Sequence, residues 1–352
     1  MASKSLTKTG TRARPRRAGG SLVVGDGADH AHRLIYQVCC LAGSTNLLED
    51  LRDAETGLPA IVSRRDTPAL FDWWVSALSY QGISDAVAYE YMRKHGRVTW
   101  RGLIRDFASR PRCPKLQSYW HYSSCRYDKG SNTCAEPDHV RRCPLPQHHL
   151  RNGRLNQTAY SLYLFIRDIA DNDLVGWIDG RLAVAATTPV ADRRHAMQQA
   201  LIGPLRNVFG VSDKVLTMTL SAILISAPNT WPHWSAVGCS LIAVDTLVHN
   251  FMARTGILRR LGADHAYGAA CYQPGRCAQI IEAAAAKIDA TKFNPTYPAD
   301  FPRFVQHAIW RYCAQQGLDV CNGNRIDDRK KCTSIQCRMF MICDHVSLKN
   351  TQ

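Results

Sequence analysis

Apolar residues recur mostly at intervals of three and four positions along this chain of 352 residues, which is the spacing of one face of an α-helix. No stretch alternates between apolar and polar residues for long enough to predict a half-buried β-strand. The pattern therefore predicts an all-α fold. Helical segments are expected at 30–61, as two short pieces, and then at 69–96 with a break near Gln81, 156–170, 199–207, 214–225, 245–258 and 301–317. The last of these is expected to end with Gly317 as its C-cap.

Residues 111–150 depart from this pattern. They are rich in Cys, His, Pro, Arg and Tyr, and they show little helical period. A segment with so few aliphatic side chains can bury little apolar surface. We therefore expect it to be an insertion that a bound metal orders.

The chain is strongly basic, with 44 Lys+Arg against 29 Asp+Glu and a formal net charge of +15. Each phosphate contact releases counterions, so this balance predicts a polyanionic partner, with nucleic acid ahead of an acidic membrane surface. The first twenty residues are basic and acid-free with no apolar core, which predicts a flexible arm or, alternatively, a mitochondrial transit peptide. No apolar run is long enough to predict a membrane-spanning helix, so we expect a soluble protein.

Eight of the fourteen cysteines form two groups. In the reducing compartment that we expect, such groups hold metal more often than they form disulfides. Four thiolates suit a zinc ion or a [4Fe–4S] cluster equally well on ligand count, and unliganded thiols are the alternative. The terminal group, spaced C-x10-C-x4-C-x5-C, is Cys321, Cys332, Cys337 and Cys343. The insertion group is Cys113, Cys125, Cys134 and Cys143.

The other cysteines, among them Cys271 and Cys277, are expected to be small core residues. His249 lies in a helical pattern and is expected to be an ordinary residue of a helix face.

The stretch VFGVSDKVLTMTLSAILI, residues 208–225, predicts a tight turn followed by a helix. Gly210 can adopt the positive φ that a turn between two helices needs. The backbone N–H groups of such a turn can bind a DNA phosphate, so Gly210 and Ser212 are candidate DNA contacts. Lys214 stands at the helix entrance, where the helix dipole disfavours a cation. Such a lysine, shielded from water, loses proton affinity and can serve as a nucleophile.

GVSDK, followed by IAVDT and RTG, resembles the helix-hairpin-helix DNA glycosylases, most closely their endonuclease III branch. ALSYQGISDAVA looks like a helix pair of that family, and the terminal cysteine group is similar to the one that holds its [4Fe–4S] cluster. The resemblance runs from about residue 70 to residue 343. It departs at Ser212, where the family has a glycine, at Asp213, where a basic residue is common, and in the longer first two cysteine intervals. The path from Lys214 to Asp245 is also longer, and we expect it to bulge at 228–234.

The resemblance implies roles for individual residues. Lys214 would be the nucleophile, Asp245 the catalytic aspartate, and Gln81 the residue that fills the gap left by an extruded base. Taken singly, Lys214 could equally be a solvated lysine and Asp245 a helix N-cap. Basic residues around the terminal cysteines, Arg329 and Lys330 among them, would contact phosphate.

The fold that the resemblance implies has two lobes. The predicted division is a basic tail, 1–29; a first part of the cluster lobe, 30–65; a helical barrel, 66–239, containing the insertion 111–150; and the rest of the cluster lobe, 240–352. The predicted function is base-excision repair by a DNA glycosylase with AP-lyase activity, and the alternative is a non-catalytic iron–sulfur DNA-binding protein on the same scaffold. We expect a monomer on double-stranded DNA, with a [4Fe–4S] cluster at the terminal cysteines and zinc or a second cluster in the insertion. The expected location is cytoplasmic and nucleoid-associated, or nuclear or mitochondrial in a eukaryote.

Overall fold

The computed structural model describes residues 25–53, 55, 57–79, 85–109, 113–128, 130–147 and 155–349. Over these residues the chain is predominantly helical, which confirms the all-α prediction. None of the helices in this part of the chain is both long and apolar enough to cross a membrane. Gln81 lies outside the described residues.

The α-helices are numbered in chain order. Those of the first half are α1 Asp26–Ala42, α2 Leu47–Leu51, α3 Leu58–Ser63, α4 Thr67–Leu78, α5 Asp85–His95, α6 Trp100–Ser109, α7 Tyr119–Tyr122, α8 Pro137–Val140 and α9 Asn156–Asp168. Those of the second half are α10 Leu174–Ala186, α11 Val190–Leu205, α12 Asp213–Ile225, α13 Pro232–Ser240, α14 Thr246–Arg254, α15 Ile257–Arg260, α16 Cys277–Ala285 and α17 Pro302–Cys313.

Two hydrophobic cores organise these helices. The first takes its buried side chains from α3, α4, α6 and α9 to α13. The second takes them from α1, α2 and α14 to α17. Leu58 and Val62 of α3 pack in the first core, although the predicted division places them with the cluster lobe. Ile225 and Cys239, which end α12 and α13, pack in the second core, so these two helices join the cores.

Over its described residues, 113–128 and 130–147, the insertion contains only short elements. They are α7, α8, two 3₁₀ turns, and an antiparallel ribbon of two strands, β1 Tyr127–Asp128 and β2 Thr133–Cys134. Its buried apolar side chains, such as Leu116 and Tyr122, dock on the first core. The low helical content agrees with the sequence pattern of this segment.

Between Lys214 and Asp245, residues 228–231 form a turn at the start of the predicted bulge, and α13 begins at Pro232. This helix packs so closely on α12 that a Cβ on Gly238 would meet Leu224 and Ile225 at 2.9 Å. The Ser221 hydroxyl, on α12, donates to the Gly238 carbonyl at 2.8 Å. The longer path is therefore part of the core.

The last helix also ends earlier than the predicted C-cap, Gly317. Helix α17 stops at Cys313, and the Leu318 N–H donates back to the Arg311 carbonyl at 2.8 Å. A Cβ on Gly317 would lie 2.0 Å from the same carbonyl oxygen. The glycine is therefore needed for close backbone approach as the chain turns towards the terminal cysteines.

Candidate catalytic and metal-binding site

The turn before α12 has the backbone that the sequence predicts. Gly210 has φ 74°, and a Cβ there would lie 2.6 Å from the Thr158 hydroxyl of α9. The Phe209 N–H donates to the Ser161 hydroxyl, also on α9, at 3.1 Å. Ser212 caps α12, because its hydroxyl accepts the Val215 N–H at 3.5 Å. Contacts with α9 thus fix the turn that precedes Lys214.

Asp213, the first residue of α12, has a partner. The Nε of Arg206, just after α11, lies 2.6 Å from its carboxylate. The helix dipole favours an acidic side chain at this N-terminus. The arginine offsets the negative charge of Asp213, which would otherwise repel an approaching phosphate. The Asp213 carboxylate is thereby oriented towards α11.

Lys214 and Asp245 lie at the N-terminal ends of two different helices. Lys214 is half-buried in the first turn of α12, and Asp245 caps α14 by accepting the Val248 N–H at 2.9 Å. Burial raises the pKa of Asp245 above its ordinary value of 3.8, while that N–H and the charges of Lys214 and Arg303 oppose the shift. The charge of Lys214 therefore acts on the ionisation of Asp245, which is also the N-cap of α14.

This balance predicts how Asp245 affects stability. Because its folded-state pKa is raised, protonated Asp245 favours folding below pH 3.8, and that gain is lost as pH rises through the raised pKa. Asparagine keeps the N-cap and removes the buried charge. We expect Asp245→Asn to raise Tm at pH 7, by a margin that shrinks on acidification. Thermal denaturation across pH measures this, and a lower Tm at pH 7 would contradict it.

The four terminal cysteines come together as predicted. Their side chains line one small, largely apolar cavity of about 30 Å³ with Phe251, Tyr312 and Met339. Burial and the neighbouring thiolates raise the pKa of Cys343 to about 12. A cationic centre bound by the four sulfurs would offset this effect, and a cluster would supply one. The residues of this cavity are Cys321, Cys332, Cys337 and Cys343.

Donors around this cavity suit sulfur that carries negative charge. The buried guanidinium of Arg254, 2% exposed, lies 3.8 Å from Cys321 Sγ. Hydrogen bonding from the Cys313 thiol, with the Arg254 charge, lowers the pKa of Cys321 to about 7 despite burial. The Tyr312 hydroxyl lies 3.0 Å from Cys337 Sγ. The donor set therefore fits a thiolate-bound iron–sulfur cluster.

The neighbouring basic residues are available to a ligand. Arg329 and Lys330 are exposed, and the only contact seen for the Lys330 ammonium in the described structure is with Asp327 at 3.9 Å. A pair this open is worth little, so it leaves the ammonium available to phosphate.

The insertion cysteines also share one environment. Each Sγ accepts the backbone N–H of the residue two positions later, as at Cys134, where the Glu136 N–H lies at 3.4 Å. Such bonds stabilise thiolates. Burial dominates the raised pKa of Cys143, about 12, and charges on the other three cysteines add to it. The set that lies together is Cys113, Cys125, Cys134 and Cys143.

The sequence analysis missed a third group. Among the described residues, it is the one set of His, Cys, Asp and Glu side chains whose ligand atoms all lie within 4.8 Å of one another, and it could hold a metal ion. Cys271 and Cys277 are buried in the second core, as expected, but the expectation did not include their proximity to His249. The available signal was the spacing H-x15-H-x5-C-x5-C. The members are His249, His265, Cys271 and Cys277.

Two cavities lie near the candidate pair. One of about 1530 Å³ runs between α11, α13 and α16, and neither Lys214 nor Asp245 lines it. A smaller one, about 230 Å³, is lined by Arg206, Thr217 and Tyr272, beside the first turn of α12. Of the two cavities, the small one is lined by a residue of α12, Thr217, which follows Lys214 by three positions.

Comparison with other proteins adds no assignment to these sites. The likeness of the hairpin and aspartate motifs to the glycosylases is carried by the residues themselves. Comparisons with protein families, with curated proteins and with solved structures find no match.

Proposed function

We propose that this protein is a base-excision DNA glycosylase with AP-lyase activity. The observation that carries the proposal is that Lys214 and Asp245 stand at the N-terminal ends of α12 and α14, where burial raises the pKa of the carboxyl and the lysine charge opposes that rise. A nucleophilic amine beside a buried carboxylate is what displacement of a base from a sugar requires.

In this mechanism the target base is first rotated out of the duplex, because it cannot be reached inside the stack. The neutral Lys214 amine attacks the sugar C1′ as the C1′–N bond to the base breaks, and the departing base takes the bonding electron pair and a proton. Opening of the sugar ring yields a Schiff base between Nζ and C1′. Loss of a C2′ proton then expels the 3′ phosphate by β-elimination and nicks the strand.

Asp245 would act on two charges in this sequence. Its carboxylate would stabilise the positive charge that develops on the sugar and would accept a proton from the Lys214 ammonium. Both roles need the ionised form, so activity should fall as pH drops through the raised pKa of Asp245. Burial of the charged carboxylate lowers the stability of the fold, and a functional role for the charge is consistent with this loss.

DNA would be held mainly through phosphate. The turn at Gly210 and Ser212 would offer backbone N–H groups, and Arg329 and Lys330 would contact the backbone from the terminal loop. The terminal cysteines would hold a [4Fe–4S] cluster, and when bound it would order this loop rather than take part in base removal. The insertion cysteines would hold zinc or a second cluster. The iron-to-zinc ratio of the protein distinguishes these two possibilities.

The experiment that tests this proposal is borohydride trapping on abasic duplex DNA. Lys214 would condense with the C1′ aldehyde, releasing water, and borohydride would reduce the Schiff base to a stable secondary amine. We expect a covalent protein–DNA product only when borohydride is present. Absence of that product would overturn the lyase mechanism.

One observation favours a second function, namely that neither Lys214 nor Asp245 lines the large cavity. The alternative is a non-catalytic iron–sulfur protein that binds DNA structures with the same surface. Such a protein would bind abasic DNA without becoming attached to it, so trapping separates the two.

Salt dependence tests the DNA interface by itself. We expect affinity for duplex DNA to fall steeply between low and physiological salt, because basic groups displace counterions. Deleting residues 1–20 should lower the slope of log affinity against log salt. A fluorescence-anisotropy titration measures both, and an affinity that does not change with salt would remove the nucleic-acid interpretation.

A further inference from the structure

Four side chains near Asp245 form a compact group separate from both predicted cysteine sites. His249 lies one helical turn after Asp245 in α14, and Cys277 is the first residue of α16. His265 and Cys271 lie in the segment 261–276, which joins α15 to α16. Cys271 and Cys277 are fully buried, and His249 is 7% exposed.

The distances fit a single tetrahedral ion. His249 Nδ1 lies 3.5 Å from the sulfurs of both Cys271 and Cys277, and His265 Nε2 lies 3.4 Å from Cys277 Sγ. With Zn–S of about 2.3 Å and Zn–N of about 2.0–2.1 Å, adjacent nitrogen and sulfur ligands of tetrahedral zinc stand ~3.6 Å apart. The side chains therefore already have ligand spacing.

His249 Nδ1 faces two sulfurs at the same 3.5 Å. A single ring nitrogen carries either one proton or one lone pair, so it can make one full hydrogen bond to this pair. The two thiols also hydrogen-bond each other. A cation between the three atoms would interact with all of them at once.

The surroundings prepare two ligands for a metal. His265 Nδ1 lies 2.7 Å from the Ala263 carbonyl, which can only accept, so Nδ1 carries the proton and Nε2 keeps its lone pair. Cys277 is the first residue of α16, so this helix fixes the position of its backbone.

The segment 261–276 has little else to order it. Its only regular element is the 3₁₀ turn Ala269–Tyr272, and Gly262, Gly268 and Gly275 all have positive φ. Ala263 and Cys271 are its fully buried apolar residues. Loops of this length without secondary structure are uncommon, and a metal would supply the missing folding free energy.

We propose that this group binds one Zn²⁺ ion in a structural site. The donor set of two imidazoles and two thiolates suits zinc, and four protein ligands leave no open position for a substrate. The ligands are His249, His265, Cys271 and Cys277.

The site would also position the candidate catalytic pair, a step that rests on the proposed function. Tyr272, next to Cys271, accepts the Val244 N–H at 2.9 Å, immediately before Asp245. The same hydroxyl is hydrogen-bonded to Thr217, three residues after Lys214 in α12. Zinc at Cys271 would hold this tyrosine across the first turns of both helices.

The test compares metal content in the full-length protein and three variants. Cys277→Ala removes a ligand, His265→Gln removes one from a less buried position, and Cys39→Ala removes an equally buried thiol that is not a ligand. We expect Cys277→Ala to lose about one zinc ion per chain, with iron unchanged. In chelator competition, His265→Gln should hold this zinc more than about 100-fold less tightly. Cys39→Ala should match the wild type.

Three outcomes would overturn the zinc site. They are an unchanged zinc content in Cys277→Ala, an unchanged zinc affinity in His265→Gln, and a disulfide between Cys271 and Cys277 in the native protein. His265→Gln changes a half-buried loop residue and should disturb the fold less than Cys277→Ala does. It therefore still tests the zinc site if Cys277→Ala does not fold.

Hydrogen exchange and trapping test the positioning role. Loss of zinc should increase exchange across 261–276 and at the Val244 amide, and should slow Schiff-base trapping. Loss of zinc with unchanged exchange at Val244, or with unchanged trapping, would overturn the positioning role. If the wild type never traps DNA, the proposed function fails, while the zinc content still decides the site.

Discussion

Lys214→Gln is expected to abolish covalent trapping on abasic DNA. Glutamine has no amine that can form a Schiff base, so the covalent intermediate cannot arise at this position. Phosphate contacts from the turn and the basic loops survive the change, so affinity for abasic DNA should stay within about tenfold of wild type. Gel analysis after borohydride reduction measures the first quantity, and anisotropy the second.

A charge-matched control makes this result specific. Lys287→Gln, on an exposed lysine just after α16, removes one positive charge far from the candidate pair in sequence and should trap like the wild type. Undiminished trapping by Lys214→Gln would show that another amine forms the intermediate. Loss of both trapping and binding in Lys214→Gln would instead show that Lys214 is needed for DNA binding, and the variant would then give no support to its role as the nucleophile.

Cys337→Ala is expected to remove the visible absorption of the cluster and most DNA affinity. The binding free energy of the cluster is also local folding free energy, so its loss should unfold the loop that carries Arg329 and Lys330. Most helical circular dichroism should remain, because the first core contains no residue of the terminal cysteine group. Zinc at His249 and its partners should also remain.

Cys113→Ala is the matched comparison, since it removes one thiol from the insertion group. We expect it to keep the cluster absorption and to loosen only the insertion. If Cys113→Ala bleaches the protein and Cys337→Ala does not, the cluster belongs to the insertion cysteines. An intact protein that contains neither iron nor zinc would remove both assignments.

The helices and the turn could be predicted from local pattern. Apolar spacing identified α4, α9, α12 and α14, because each presents a periodic apolar face. Gly210 was assignable because few other residues adopt its positive φ. The two predicted cysteine groups were visible as clusters in sequence; the terminal four line one cavity, and the insertion four affect one another's ionisation.

Other elements carried weaker local signals. Helix α13 opens at a proline after a turn-rich stretch and reads as a loop, yet its packing against α12 makes it helical. The predicted cap Gly317 has the residue type of a helix end, but a backbone contact with Arg311, and not left-handed geometry, requires the glycine. Local composition does not encode either contact.

The sequence by itself determined the helical class, the turn before Lys214, and the position of Asp245 at a helix start, because these depend on neighbours within a few residues. The tertiary structure alone decided which distant groups meet. Arg206 pairs with Asp213 across the turn, and Lys214 affects the ionisation of Asp245 from another helix. The group at His249 joins a helix, a loop and a second helix over 29 positions, from residue 249 to residue 277. Metal-ligand geometry depends on distances in space, and chain folding sets those distances independently of spacing in sequence.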